Sequence, residues 1–191
     1  MKSIYSTLLL FLITACASPT ATPTMAQTIP STETPIAETV ASFEIKSPVF
    51  QEGETIPEIY SCQGINISPP LTWSNIPDGT QSFTLIVDDP DAPGGTWIHW
   101  VLFNLPASAH ELHENIPTSE QLENGGIQGV ASSGRGYRGP CPPSGTHHYY
   151  FTLYAVDTLL TLDAKANKEQ ILVAMEGHIL GKAQLIGLYS R

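Results

Sequence analysis

Residues Gln81–Asn104 read QSFTLIVDDPDAPGGTWIHWVLFN, two strand-length apolar runs joined by an Asp/Pro/Gly turn. The first, Ser82–Val87, is rich in β-branched and aromatic residues and stops at Asp88-Asp89-Pro90, where proline has no N–H to give a ladder. The second, Trp97–Phe103, is apolar at both parities, the pattern of a strand covered on both faces. A third run, His147–Val156, has the same character. Together the three predict the centre of a sheet, with shorter strands around Phe43–Ile45, Leu71–Trp73 and Ala183–Tyr189. One helix is marked as well. Asn167 is its cap with Gln170 completing a capping box, Ile171, Met175 and Ile179 repeat along one face, and Gly181 supplies the stop. The fold class is therefore β-rich α+β, a sandwich-like sheet system with a helix near the C-terminus.

The polar residues of this frame gather at one rim. If the first two runs pair antiparallel, the end of one lies beside the start of the next, so Asp89 and His99 share an edge. His147 opens the third run directly after a long Gly/Pro loop, Asn124–Gly145, and joins them if that strand enters from the same end. Alternation places His147, Tyr149 and Phe151 on one face, and Trp97, His99 and Val101 on another. His148 points opposite to His147 and is read as structural, as His110, His113 and His178 are read as surface or packing residues. An ionised carboxylate fixes the tautomer of a neighbouring imidazole and favours its protonated form. Asp89 and Asp91 orienting His99 or His147 would thus make a donor set for an anionic oxygen. The plain alternative is that both aspartates only accept backbone N–H groups within their turn. Two Asp and two His without ligand spacing support no metal, and no cofactor is assigned.

Further out, composition bounds the partners. A 41% hydrophobic share with 14% charged residues is globular, and the net charge of -10 lacks the Lys/Arg excess that phosphate backbones require. Nucleic acid is excluded as a partner on that ground; a small anion in a local pocket is not. Residues 43–191 are long enough to bury about 68% of their unfolded surface around one core.

The chain begins with Lys2 and an apolar run Leu8–Ile13, far short of the ~20 residues of a membrane span. Residues 1–15 read as a secretory signal, and Leu12-Ile13-Thr14-Ala15-Cys16 resembles the bacterial lipobox, in which the Cys is lipidated. Residues 16–42, with four prolines, seven threonines, no aromatic and no Lys or Arg, form a tether of polyproline II character. The expectation is an exported lipoprotein held on a membrane through Cys16, with the folded domain at 43–191. Cys62 and Cys141 remain. In an oxidising compartment they can pair, closing a loop of about 80 residues worth about 4 kcal/mol. Two buried thiols are the alternative.

Asp89-Pro90-Asp91-Ala92-Pro93, then His99-Trp100, then Gly136–Pro143, then His147-His148-Tyr149 resemble, in order, the ligand-site motifs of the phosphatidylethanolamine-binding protein family. The likeness is greater to its bacterial branch, described as Raf kinase inhibitor-like. Ile65–Trp73 and Glu176–Gly181 are similar too. The resemblance implies a sandwich of a large and a small antiparallel sheet, with a rim pocket for phosphate, acetate or a phosphorylated headgroup. Its ligand residues would be Asp89, Asp91, His99, Pro142, Pro143, His147 and Tyr149.

Gly134-Arg135-Gly136-Tyr137-Arg138-Gly139 satisfies Gly-x-Gly-x-x-Gly literally but runs into Pro140, Pro142 and Pro143. A dinucleotide fingerprint must open a helix, which these prolines forbid. Glycine-rich turns still form anion-binding concavities, to which Arg135 or Arg138 can add charge. The leading reading is a binding module for a small phosphorylated or carboxylated anion of phospholipid-headgroup type. A protein inhibitor of a protease or kinase is the alternative. A hydrolase using Ser132, Ser133 or Ser144 with His147 ranks below both, since no Gly-x-Ser-x-Gly elbow occurs.

Overall fold

The computed structural model describes residues 42–191, so the signal, lipobox and tether readings on residues 1–41 lie outside the described residues. In chain order the elements are β1 (Glu44–Lys46), a single-turn 3-10 helix (Glu58–Tyr60), β2 (Leu71–Ser74), β3 (Ser82–Asp89), β4 (Trp97–Pro106), β5 (Glu111–Leu112), β6 (Ile127–Gln128), β7 (Val130–Ala131), β8 (Gly134–Arg135), β9 (Thr146–Val156), α1 (Lys168–Ala174) and β10 (Ile179–Ser190). A five-stranded antiparallel sheet has the order β10-β9-β3-β4-β6, and a three-stranded sheet the order β1-β2-β5. The three long apolar runs are its centre, as their composition predicts. The strands too short for periodicity to reveal, β5 to β8, were outside the sequence's reach.

Both faces of the large sheet are covered, which is why its strands are apolar at both parities. Phe83, Leu85 and Val87 of β3, Trp100 and Leu102 of β4 and Phe151 and Leu153 of β9 pack against Ile45, Leu71, Trp73 and Leu112 of the small sheet. On the opposite face Val101, Phe103 and Val156 meet Ile171 and Met175 at α1. Seven residues do not hold a helix alone. Asn167 and Gln170 form the reciprocal capping box, worth about 1 kcal/mol, whereas burying Ile171 is worth about 1.5–3 kcal/mol. Packing therefore decides that α1 forms. The helix stops a turn earlier than the repeat implies. Met175 caps it, Gly177 takes φ 80°, and Ile179 opens β10, where the long edge of β9 offers a ladder in place of helical bonds. Gly181 is instead a strand residue, whose absent Cβ would lie 2.7 Å from Pro77 Cγ.

One irregularity matters for the site. Val87 pairs with Trp100 but Asp88 pairs with Ile98, so His99 is the extra residue of a β-bulge. Strict alternation would put His99 with Val101, facing the helix. The bulge separates them: Val101 stays on the helix side, while His99 lies on the side of Trp100 and Trp97.

Candidate functional site

Three backbone stretches meet at one end of the large sheet: the end of β3, the start of β4 and the start of β9. With the loop 133–143 they enclose a cavity of about 420 Å³, lined by Asp89, Ala92, Pro93, Trp97, His99, Ser133, Arg138, Pro142, Pro143 and His147, with Cys62, Gly139 and Cys141.

Asp89 and His147 are both buried, and His147 Nδ1–H donates to Asp89 Oδ2 at 2.7 Å. The second oxygen, Oδ1, accepts the Asp91 N–H at 2.8 Å. Both oxygens of Asp89 are thus engaged, which fixes the His147 tautomer with Nε2 unprotonated in the neutral ring. His99 is held differently. Its Nδ1–H donates to the Arg138 carbonyl at 2.5 Å, and the Arg138 N–H returns a bond to the His99 carbonyl at 3.0 Å. A carbonyl only accepts, so in neutral His99 the Nε2 is again the acceptor. That atom is buried and has no partner. Burial holds the His99 pKa below the usual imidazole value, against smaller upward pulls from the Arg138 carbonyl and Asp89.

Tyr149 packs edge-on against His99 with ring centroids 5.2 Å apart, inside the core. It does not line the cavity, and its buried hydroxyl is unpartnered. Burial, with Asp89 adding to it, raises the phenol pKa, so the group remains a donor. Asp91 is not brought to the cavity either. Its Oδ2 accepts both the backbone N–H of His148, at 2.9 Å, and its Nδ1–H, at 2.7 Å. His148 alternates to the other side of β9 from His147 and draws that carboxylate with it; the same bonds lower the Asp91 pKa. Asp91 thus reaches the site only through its backbone N–H, as a turn residue would.

The wall opposite is fastened to the end of the 3-10 helix and the segment after it. Gly139 N–H donates to Asn66 Oδ1 at 2.7 Å, Tyr137 OH to the Tyr60 carbonyl at 2.9 Å and Cys62 N–H to the Pro140 carbonyl at 3.0 Å. A disulfide joins Cys62 to Cys141, with Cα atoms 5.4 Å apart. Of the two loop arginines only Arg138 lines the cavity. Arg135 turns away to the Gln128 and Ala164 carbonyls and to Glu120.

Ser133 lines the cavity, but among the described residues none of Ser132, Ser133 and Ser144 hydrogen-bonds a histidine, and Ser132 Oγ accepts the Ile98 N–H. No group of three metal-ligating side chains occurs among the described residues. Sequence reasoning missed Trp97, 43% exposed at the rim. Its position two residues before His99 on one strand was the available signal.

Residues 46–190 match the family profile described as Phosphatidylethanolamine-binding protein. A UPF0098 protein of Methanothermobacter thermautotrophicus is 53% identical over 148 residues, covering 77% of this chain and 98% of its own length. A UPF0098 protein of Aquifex aeolicus is 44% identical, covering 79% and 90%. Among solved structures, a candidate phosphatidylethanolamine-binding protein homologue from Chlamydia trachomatis is similar with TM-score 0.73 at 41% identity, covering 78% of this chain and 98% of that one. E. coli YbcL, described as a new member of the mammalian PEBP family, is similar with TM-score 0.71 at 32% identity, covering 79% and 99%.

Proposed function

Because the chain belongs to the phosphatidylethanolamine-binding protein family, we propose that its rim cavity binds a small phosphorylated or carboxylated anion of the headgroup type, and that binding, not catalysis, is its function. The observation that carries this reading is that one cavity is lined by the buried Asp89–His147 pair, by His99, whose buried Nε2 has no partner, and by Arg138. Buried polar atoms without partners are costly unless something supplies the missing bond. Among the described residues none of the loop serines Ser132, Ser133 and Ser144 is hydrogen-bonded to a histidine, which favours a binding role over hydrolysis.

Calorimetric titration of the protein with inorganic phosphate and with phosphoethanolamine tests this. His99→Ala and His147→Ala each lower affinity by roughly 10 to 150-fold, the cost of a charge-assisted bond of about 1.5–3 kcal/mol. His113→Ala, at an exposed position on the small sheet's side, changes little. Affinity falls as pH rises, because an anionic oxygen bonds His99 Nε2 only through a shared proton, and burial makes that proton easier to lose in the empty site. Unchanged affinity in both histidine variants would remove the assignment.

The lipobox-like stretch ending at Cys16 supports export and membrane anchoring through that residue; the Cys62–Cys141 disulfide is in keeping with an oxidising compartment. Cys16→Ser then abolishes incorporation of a fatty-acid probe and releases the protein from the membrane fraction. Equal labelling of both forms would refute the anchor. An inhibitory role of Raf kinase inhibitor-like type needs a protein-docking face, and the cavity's chemistry favours a small ligand over it.

A further inference from the structure

The hydrogen-bond bookkeeping of the cavity narrows its ligand further than anionic. Each neutral imidazole has one donor nitrogen and one acceptor nitrogen. In both histidines the donor is already committed: His147 Nδ1–H to Asp89 and His99 Nδ1–H to the Arg138 carbonyl. Each ring therefore turns an acceptor, Nε2, to its remaining surroundings, and that of His99 is buried without a partner. Asp89 is a further acceptor in the lining. A fully ionised oxygen cannot bond any of these three groups. Something must carry a proton between them.

We propose that the cavity selects phosphate and phosphomonoesters, which bring an acidic P–OH of their own, over phosphodiesters, which have none. The inference rests on the anion-pocket reading above and deepens it. The bound oxygen carrying the proton donates to His99 Nε2, and the charged oxygens face Arg138 at the lining. The groups facing His99 are Asp89 on β3, His147 and Tyr149 on β9, and Arg138 on the loop; Asp88 acts on it only as a charge from the helix side of β3, where Lys168 pairs with it. Burial also opposes charging the His99 ring, so in the empty site the proton is not on Nε2 near neutral pH. A phosphomonoester has its second pKa at about 6, so the proton it needs is available close to neutrality. A site whose buried acceptor is left unpaired discriminates strongly against the analogue lacking the donor.

The experiment compares methyl phosphate with dimethyl phosphate on the full chain, by calorimetry at about pH 6.5 and about pH 8, both above the second pKa of a phosphomonoester. Expressed per monoanion, methyl phosphate binds at least about fivefold more tightly than the diester, the least that an unpaired buried acceptor costs. Its apparent affinity falls as pH rises and its apparent enthalpy varies with buffer ionisation enthalpy, because the free dianion takes up a proton on binding. His99→Ala reduces the per-monoanion ratio. Binding of the diester within threefold of the monoester monoanion overturns the inference while leaving an anion pocket in place. Binding of neither ester overturns the pocket reading and this inference together.

Discussion

Asp89 and Asp91 stand two positions apart in one turn, yet burial assigns them different work. Asp89 holds a buried histidine and a backbone N–H; Asp91 holds His148, with the two side chains 41% and 50% exposed. Removing Asp89 strands two donors in a low-dielectric setting, each costing about 1–3 kcal/mol. An exposed pair is worth about 0.2–1 kcal/mol. Asp89→Ala should accordingly lower the denaturant midpoint clearly and weaken phosphate binding, while Asp91→Ala shifts both only slightly. Chemical denaturation and titration of the two variants side by side check this, and equal loss in both would return Asp91 to the ligand set.

At the scale of elements, the site depends on how the wall 136–143 is seated. Its close approach to the end of the 3-10 helix requires glycine at 139, where a Cβ would lie 2.0 Å from the Tyr60 carbonyl oxygen. Backbone cannot yield cheaply, so Gly139→Ala costs about 1–3 kcal/mol as overpacking does. It also moves Arg138, whose carbonyl orients His99. The expected result is a lowered Tm with weakened phosphate affinity. Gly94 is the control, since a Cβ there meets nothing within 4 Å, and Gly94→Ala leaves both near wild type. The bulge at His99 belongs to the same scale. It re-aims one side chain by adding one residue to a strand, and no hydrophobic pattern announces it.

Across the whole molecule, one covalent bond ties the segment after the 3-10 helix to the loop that walls the cavity. The Cys62–Cys141 bridge spans a sequence separation of 79 residues, and its loss costs about 4 kcal/mol in the chain-entropy account. The double variant Cys62→Ser with Cys141→Ser should melt well below wild type, with reducing agent lowering the wild-type Tm and leaving the variant's unchanged. An unshifted wild-type Tm under reduction would oppose it. The sequence by itself determined the central strands, the capped helix and the gathering of Asp89, His99 and His147 at one edge, because alternation, caps and turn residues act over a few neighbours. Tertiary structure alone decided which residues complete the cavity. Ser133 lines it, Tyr149 is buried behind His99, and Asp91 turns to His148. The helix end, the bulge and each imidazole's committed nitrogen were decided there as well. Each depends on a partner distant in sequence, and competition among such partners for a hydrogen bond leaves no local trace.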